Sequence, residues 1–181
     1  MIIKETKIKG CFLLEPRVFK DERGYFTESY NEDTIYKSTG LKVNFVQDNE
    51  SQSSEGVLRG LHYQKGNFAQ AKLVRVIKGK VLDIVVDLRS DSKTFGEYCS
   101  FELSEENKKQ VFVPRGLAHG FVTLTDRTIF CYKCDNFYNK EAERGIIYND
   151  PELNIDWNYP LDKLIISDKD LNFPTFKNAD I

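Results

Sequence analysis

The chain of 181 residues has only two histidines, and each follows an Arg-Gly-Leu triplet. His62 lies in R-G-L-H-Y-Q, Arg59–Gln64, and His119 lies in P-R-G-L-A-H-G-F, Pro114–Phe121. Histidine is the side chain that takes and returns a proton near neutral pH. An imidazole in an apolar, strand-like run is therefore a candidate base for removing a proton next to a carbonyl. That chemistry needs more parts. Something must hold the enolate oxygen, an acid must return a proton, and a partner, commonly a carboxylate, must fix the tautomer of the base. The chain has lysines, tyrosines and aspartates for each role, but spacing alone assigns none of them. On these residues alone, a hydrogen-bonded core histidine, the usual fate of a lone strand histidine, is the more common reading of His62.

A metal or redox reading rests on C-Y-K-C, Cys131–Cys134. The surrounding Thr128–Phe137 reads as a strand, in which positions three apart point to opposite faces. The two sulfurs then cannot share one metal, and no second C-x-x-C completes a zinc site. Two small buried hydrophobes are expected there.

The elements that carry these groups are mostly strands. Gly24–Tyr30 is rich in aromatics and follows the turn-like D-E-R-G, and Val43–Gln47 alternates. Gln70–Ile77 and Lys80–Leu88 flank Lys78-Gly79, which reads as a hairpin turn. In the second arm Leu82, Ile84, Val86 and Leu88 share one face, and Asp83 and Asp87 share the other with Val81 and Val85. Phe95–Leu103, Gln110–Val113, Ala118–Leu124 and Thr128–Phe137 continue the pattern. Helix signals are short: Asn31–Ser38 with Gly40 beyond it, one capped turn at Leu103–Asn107, and turns around Ser167–Asp170. Many short strands imply a sandwich or barrel, whose mouth can bind a ligand. Long strand edges favour cover by a partner chain, so a dimer is expected.

The composition sets outer bounds. The length suits one domain, residues 1–181, able to bury roughly 70% of its unfolded surface without disulfide or metal staples. A formal net charge of -2, with 26 basic and 28 acidic residues and no basic stripe, points away from nucleic acid and from a membrane surface. An anionic ligand would need a local Arg/Lys cluster. The first residues alternate too often with charge to read as a signal peptide, and no apolar run nears the ~20 residues of a membrane span. A cytoplasmic protein with reduced thiols is expected.

Several further motifs, in order, carry a resemblance. They are L-E-P-R-V-F (Leu14–Phe19), D-E-R-G-Y-F-T-E-S-Y (Asp21–Tyr30), F-V-Q-D-N (Phe45–Asn49), L-R-G-L-H-Y-Q (Leu58–Gln64) and A-K-L-V-R (Ala71–Arg75). They continue through T-F-G (Thr94–Gly96), the Leu103–Lys108 turn, V-P-R-G-L-A-H-G-F (Val113–Phe121), Tyr132-Lys133, Asn149-Asp150 and S-D-K-D (Ser167–Asp170). The chain resembles the dTDP-4-dehydrorhamnose 3,5-epimerases nearly end to end. The resemblance implies an all-β fold, a cupin-like jelly-roll barrel with short peripheral helices. It implies inversion at C3 and C5 of dTDP-4-dehydro-6-deoxy-D-glucose, with no metal and no redox cofactor. By position, His62 is then the base, Asp170 its partner, Tyr132 the acid on the opposite sugar face, and Lys72 the enolate stabiliser.

The same resemblance implies nucleotide contacts. Arg59, Arg23 and Lys169 would meet the pyrophosphate and ribose, with Lys72 near them, and Tyr138 would stack on thymine. Gln47, Asp48, Asn49, Glu28, His119 and Glu143 match binding positions. The Arg23–Glu28 segment, with Phe26 in it, would be offered across a homodimer, so that the site is shared between chains. Some assignments stay open on the sequence. Asp168 rivals Asp170, Glu141 rivals Glu143, and His119 either binds phosphate or only supports His62. Asp83 and Asp87 receive no chemistry. Strict alternation puts Arg59 and His62 on opposite faces, so a bulge at Gly60 is expected. Four alternatives stand beside the 3,5-epimerase: a 3- or 5-mono-epimerase, a 3,4-ketoisomerase, against which the R-G-L-H-Y-Q and Tyr132 pairing argues, a non-catalytic sugar-nucleotide binding module, and a metal-dependent cupin oxygenase.

Overall fold

A computed structural model describes residues 1–181. Two antiparallel sheets face each other. The first has the order β1-β2-β10-β7-β12-β5, from β1 (Ile2–Glu5), β2 (Phe12–Glu15), β5 (Gln47–Ser53), β7 (Lys72–Lys78), β10 (Gln110–Val113) and β12 (Thr128–Cys134). The second has the order β13-β6-β11-β8-β9, from β6 (Val57–Gln64), β8 (Lys80–Asp87), β9 (Tyr98–Ser104), β11 (Leu117–Thr123) and β13 (Glu143–Gly145). The short β14 (Ile165–Ile166) runs parallel to β6. β3 (Val18–Asp21) and β4 (Gly24–Thr27) form a separate hairpin. This is the jelly-roll architecture that the motif order implies.

The strand alternation sorts side chains into three layers. Val74, Val76, Val111 and Phe130 from the first sheet meet Val81, Val85, Leu103 and Phe121 from the second, filling the barrel. Leu58, Leu61, Ile84, Val86 and Val122 point out of the second sheet and are covered by Ile146, Leu153, Trp157 and Phe176 from the C-terminal segment. Phe12, Leu14, Leu73 and Phe112 point out of the first sheet, under Ile35 of α1 (Glu32–Thr39). The helix is capped as the sequence suggests. The Asn31 side chain accepts from the Thr34 N–H, and Gly40 closes the far end in the left-handed region.

Three expectations change. Lys78-Gly79 is no hairpin turn: β7 pairs with β10 and β12, whereas β8 pairs with β9 and β11. The chain turns a corner there from one sheet to the other. Of the Val43–Gln47 segment only Gln47 joins a ladder, as the first residue of β5. Val43 and Phe45 pack against the outer layer with Leu41, and one bond, from the Val46 N–H to the Cys134 carbonyl, brings the chain to β5. β5 itself, Q-D-N-E-S-Q-S, is a polar strand without an apolar signal. The aromatic stretch Gly24–Tyr30 is a strand only through Thr27.

The bulge at Gly60 is present. Phe121 pairs with Arg59 and His119 with His62, so β6 spends three steps where β11 spends two. Gly60 has φ of 114°, and a Cβ there would come within 2.7 Å of the Gly120 Cα. The extra residue lets Arg59 and His62 both face the barrel while Leu58, Leu61 and Tyr63 face the outer layer.

Candidate active site

His62 opens into a cavity of about 100 Å³ at one end of the barrel. Gln47, Asn49, Lys72, Tyr132, Tyr138 and Glu143 share its lining. Four of these come from β5, β7 and β12 of the first sheet, and His62 and Glu143 come from β6 and β13 of the second. The cavity is thus a gap between rigid strands.

Asp170 reaches His62 from α2 (Asp168–Leu171), a single turn in which the Ser167 hydroxyl accepts from the Asp170 N–H at 3.2 Å. His62 Nε2 lies 2.9 Å from Asp170 Oδ1, and the Gly60 N–H donates to Asp170 Oδ2 at 3.0 Å. Burial works against the Asp170 charge. The hydrogen bond and charge of His62, the Gly60 N–H and the Ser167 cap outweigh it and hold the carboxyl below the usual aspartate value. An ionised carboxylate only accepts, so in the neutral imidazole Nε2 carries the hydrogen and Nδ1 the lone pair. Asp168 is exposed, so the structure brings Asp170 and not Asp168 to the imidazole.

The Lys72 ammonium makes no hydrogen bond or ion pair within the chain. Its Nζ lies 5.9 Å from the centroid of the Tyr132 ring. Burial pushes the ammonium below the ordinary lysine value, against the pull of Asp83 and Glu143. A cation held in this way gains from any negative charge that enters the cavity. The Tyr132 hydroxyl is likewise unbonded to protein. Burial raises its pKa, so the proton stays on the oxygen at neutral pH. Tyr132 shares its inward face with Phe130 and Cys134, as the alternation requires.

Glu143 anchors a second cluster. Its Oε2 accepts from Lys169 Nζ at 2.6 Å and from the Tyr138 hydroxyl at 2.9 Å. Burial raises its pKa, but these donors and His62 outweigh that and leave it lowered. Glu141 takes no such place. Gln47 receives the Tyr138 N–H and donates to Asn49 at 3.0 Å. Arg59 does not line this cavity: its Nε lies 3.2 Å from Ser53 Oγ at the far end of β5, though its charge is felt by Tyr132.

Other expected contacts lie apart. Asp48 points from the opposite face of β5 and pairs with Lys133 at 2.7 Å. Arg23 is tied to Asp21 on the exposed hairpin, Phe26 is 68% exposed, and Glu28 accepts from Asn31. None of these reaches the cavity of its own chain. His119 is buried in the barrel, where its Nε2 lies 2.7 Å from Asp83 Oδ2. Burial raises the Asp83 pKa, and its second oxygen has no partner.

Gln64 is a further residue that shapes the site. Its amide donates to the Phe68 and Phe137 carbonyls and accepts from the Asn139 N–H, so it holds the loop that carries Tyr138. No periodicity marks such a residue; its place two positions beyond His62 is the only hint. Cys131 and Cys134 point to opposite faces, against Glu50 and Asn49. All four cysteines are free, and burial lifts Cys131 and Cys134 to about 11. No group of three or more His, Cys, Asp and Glu side chains converges as a metal site. No helix is long and apolar enough to cross a membrane.

The family model for dTDP-4-dehydrorhamnose 3,5-epimerase matches residues 5–178. The chain belongs to the dTDP-4-dehydrorhamnose 3,5-epimerase family. It is 49% identical over 180 residues to the Shigella flexneri member, a match that covers 99% of this chain and 98% of that one. The crystal structure of the Elizabethkingia anophelis enzyme superposes with a TM-score of 0.94 at 56% identity, covering 98% and 97% of the two chains. A Legionella pneumophila epimerase, solved in complex with dTDP-4-keto-L-rhamnose, gives a TM-score of 0.94 at 42% identity, covering 98% and 93%. Membership makes the chain an isomerase of dTDP-sugars on the cupin-like jelly roll. An epimerase needs a base and an acid around one carbon. The cavity offers the free His62 Nδ1 and the protonated Tyr132 hydroxyl in one small space.

Proposed function

We propose that this chain inverts C3 and C5 of dTDP-4-dehydro-6-deoxy-D-glucose. The observation that carries the reading is an oriented imidazole sharing one cavity with an unpaired ammonium and a protonated phenol. His62 Nδ1 removes the proton from C3 or C5, and the bonding pair moves onto the C4 oxygen as an enolate. Lys72 donates to that oxygen, where negative charge develops. Tyr132 then gives its proton to the carbon from the other face, so the configuration inverts. Water restores the tyrosine proton and takes the one left on His62. Both carbons flank one ketone, so one base serves both. Asp170 stabilises the imidazolium while it exists.

Arg59 and Lys169 hold the diphosphate, Tyr138 offers its ring to the thymine, and His119 supports the barrel side of the site. Arg23, Phe26 and Glu28 come from a second copy of the chain. Their hairpin pairs with no other sheet and presents Phe19 at 48%, Tyr25 at 57% and Phe26 at 68% exposure, an apolar surface that a partner would cover. The setting is cytoplasmic, in keeping with four free thiols.

The test is proton NMR of the purified protein with this substrate in deuterated water. Deuterium entering both C3 and C5 is expected. Deuterium at one carbon only makes the protein a mono-epimerase. None at either, with dTDP bound, leaves a binding module.

A further inference from the structure

The single bond from His62 Nε2 to Asp170 fixes one atom of the imidazole but leaves the ring free to swing about that bond. A second contact is needed to aim Nδ1. The Phe173 ring supplies one. Its centroid lies 5.5 Å from that of the imidazole with the planes at 76°, an edge-to-face pair.

The fold makes room for this ring at one position. Gly145 of β13 stands directly opposite His62 of β6 in the ladder. A Cβ on Gly145 would fall 2.4 to 2.5 Å from three carbons of the Phe173 ring. Phe173 therefore occupies the space that any other residue at 145 would fill. Its backbone is held from both sides. Before it, Ser167 caps α2 and Asp170 holds His62; after it, the Ile147 N–H bonds the Pro174 carbonyl at 2.9 Å and Phe176 is buried in the outer layer. The same ring lies 5.9 Å from Lys169 Nζ. One short segment thus delivers the partner of the base, a cation near Glu143 and the wall against the imidazole.

We propose that Phe173, seated over Gly145, is a positioning residue that sets the plane of the His62 imidazole and so aims Nδ1 at the sugar. The inference rests on His62 being the base of the proposed epimerisation. Phe173 touches no reacting atom.

The experiment compares wild type, Phe173→Leu, Gly145→Ala and the double variant. Each is read by deuterium uptake at C3 and C5, by KM, by dTDP affinity and by 15N NMR of the His62 ring. Phe173→Leu should lower kcat about tenfold, the size expected for losing an aromatic pair, with KM and dTDP affinity unchanged. Its His62 15N signals should move and broaden as the ring samples more than one plane, with the Nε2 hydrogen still held by Asp170. Gly145→Ala should reproduce the loss by displacing the ring. The double variant should lose no more than either single one, because both act through the same contact. Uptake by Phe173→Leu at the wild-type rate would overturn the proposal. So would a loss shared equally by kcat, KM and dTDP affinity with unmoved 15N signals, which is a merely structural effect. Should Phe173→Leu not fold, Phe173→Met, which keeps the bulk without the ring, carries the same comparison. Absence of uptake in the wild type would instead refute the epimerase reading itself.

Discussion

Asp170→Asn isolates the electrostatics of the base. The asparagine is nearly the same shape, and its Oδ1 can still accept the Gly60 N–H that now bonds at 3.0 Å. The other half of the amide then faces His62 at the position 2.9 Å from Nε2. An NH2 group donates, so it favours the tautomer with the hydrogen on Nδ1, which removes the lone pair from the catalytic side. The imidazolium also loses its counter-charge. Unit charges about 4 Å apart interact by about 4 kcal/mol at an effective dielectric of about 20. The carboxylate is buried and the imidazole only partly so, and half of that figure or more should survive. Between about 2 and 4 kcal/mol in the barrier, the rate falls by about 30- to 1000-fold. The assay is deuterium uptake at C3 and C5 under saturating substrate, with dTDP affinity and Tm as controls. Uptake within about threefold of wild type, with intact binding and Tm, would refute the claim that Asp170 fixes and charges the base.

Further outcomes are as definite. Tyr132→Phe should cut product inversion far more than deuterium exchange at C3 and C5, measured together by NMR; equal losses would remove it as the acid. Arg59→Ala should weaken dTDP binding about tenfold or more by calorimetry, with a smaller salt dependence than wild type, since a charge-assisted contact is lost. Gly60→Ala should lower stability by about 2 kcal/mol or more from backbone strain and the close approach to Gly120, read as a fall in urea midpoint. Asp170 and Glu143 have pKa values lowered by folding, so the unfolded chain binds more protons than the native one as pH falls. Their stabilisation is present above the ordinary carboxylate range, near pH 4 to 5, and is lost as pH drops through the lower native values. Tm should therefore hold between pH 7 and 5 and decline below about pH 4, and Glu143→Gln should flatten that decline.

Much of this site was legible before the fold. The R-G-L-H context pointed to His62, and the conflict between alternation and function at Arg59 and His62 demanded the bulge that Gly60 provides. The face shared by Phe130, Tyr132 and Cys134 follows from period two. The S-D-K-D run carried more than was taken from it. Ser167 is a helix cap whose hydroxyl accepts from the Asp170 N–H, and a cap followed three residues later by an acid puts that acid in the first turn. Asp168 lies in the same first turn, so capping finds the turn, and only the contact with His62 separates Asp170 from Asp168. Other features had no local signal. β5 is polar because its inward residues Gln47 and Asn49 line a cavity and not a core. The Lys78-Gly79 corner looks like a hairpin turn because a turn sequence fixes local direction but not which sheet the next strand joins. Phe173 reads as a tail aromatic until Gly145 is seen beneath it.

The sharpest limit concerns the two histidine–aspartate pairs. Each imidazole binds a carboxylate through Nε2, at 2.9 Å for His62 and 2.7 Å for His119. By residue type they are the same device. They differ in how many donors each carboxylate receives. Asp170 accepts from His62 and the Gly60 N–H at the end of a capped turn, and its charge is favoured. Asp83 has one bond, one unpartnered oxygen and no exposure, and burial disfavours its charge. An imidazolium needs an ionised neighbour, so the first pair is suited to holding a transferred proton and the second is not. That difference lies in backbone N–H groups and depth, which no spacing of Arg, Gly, Leu and His records.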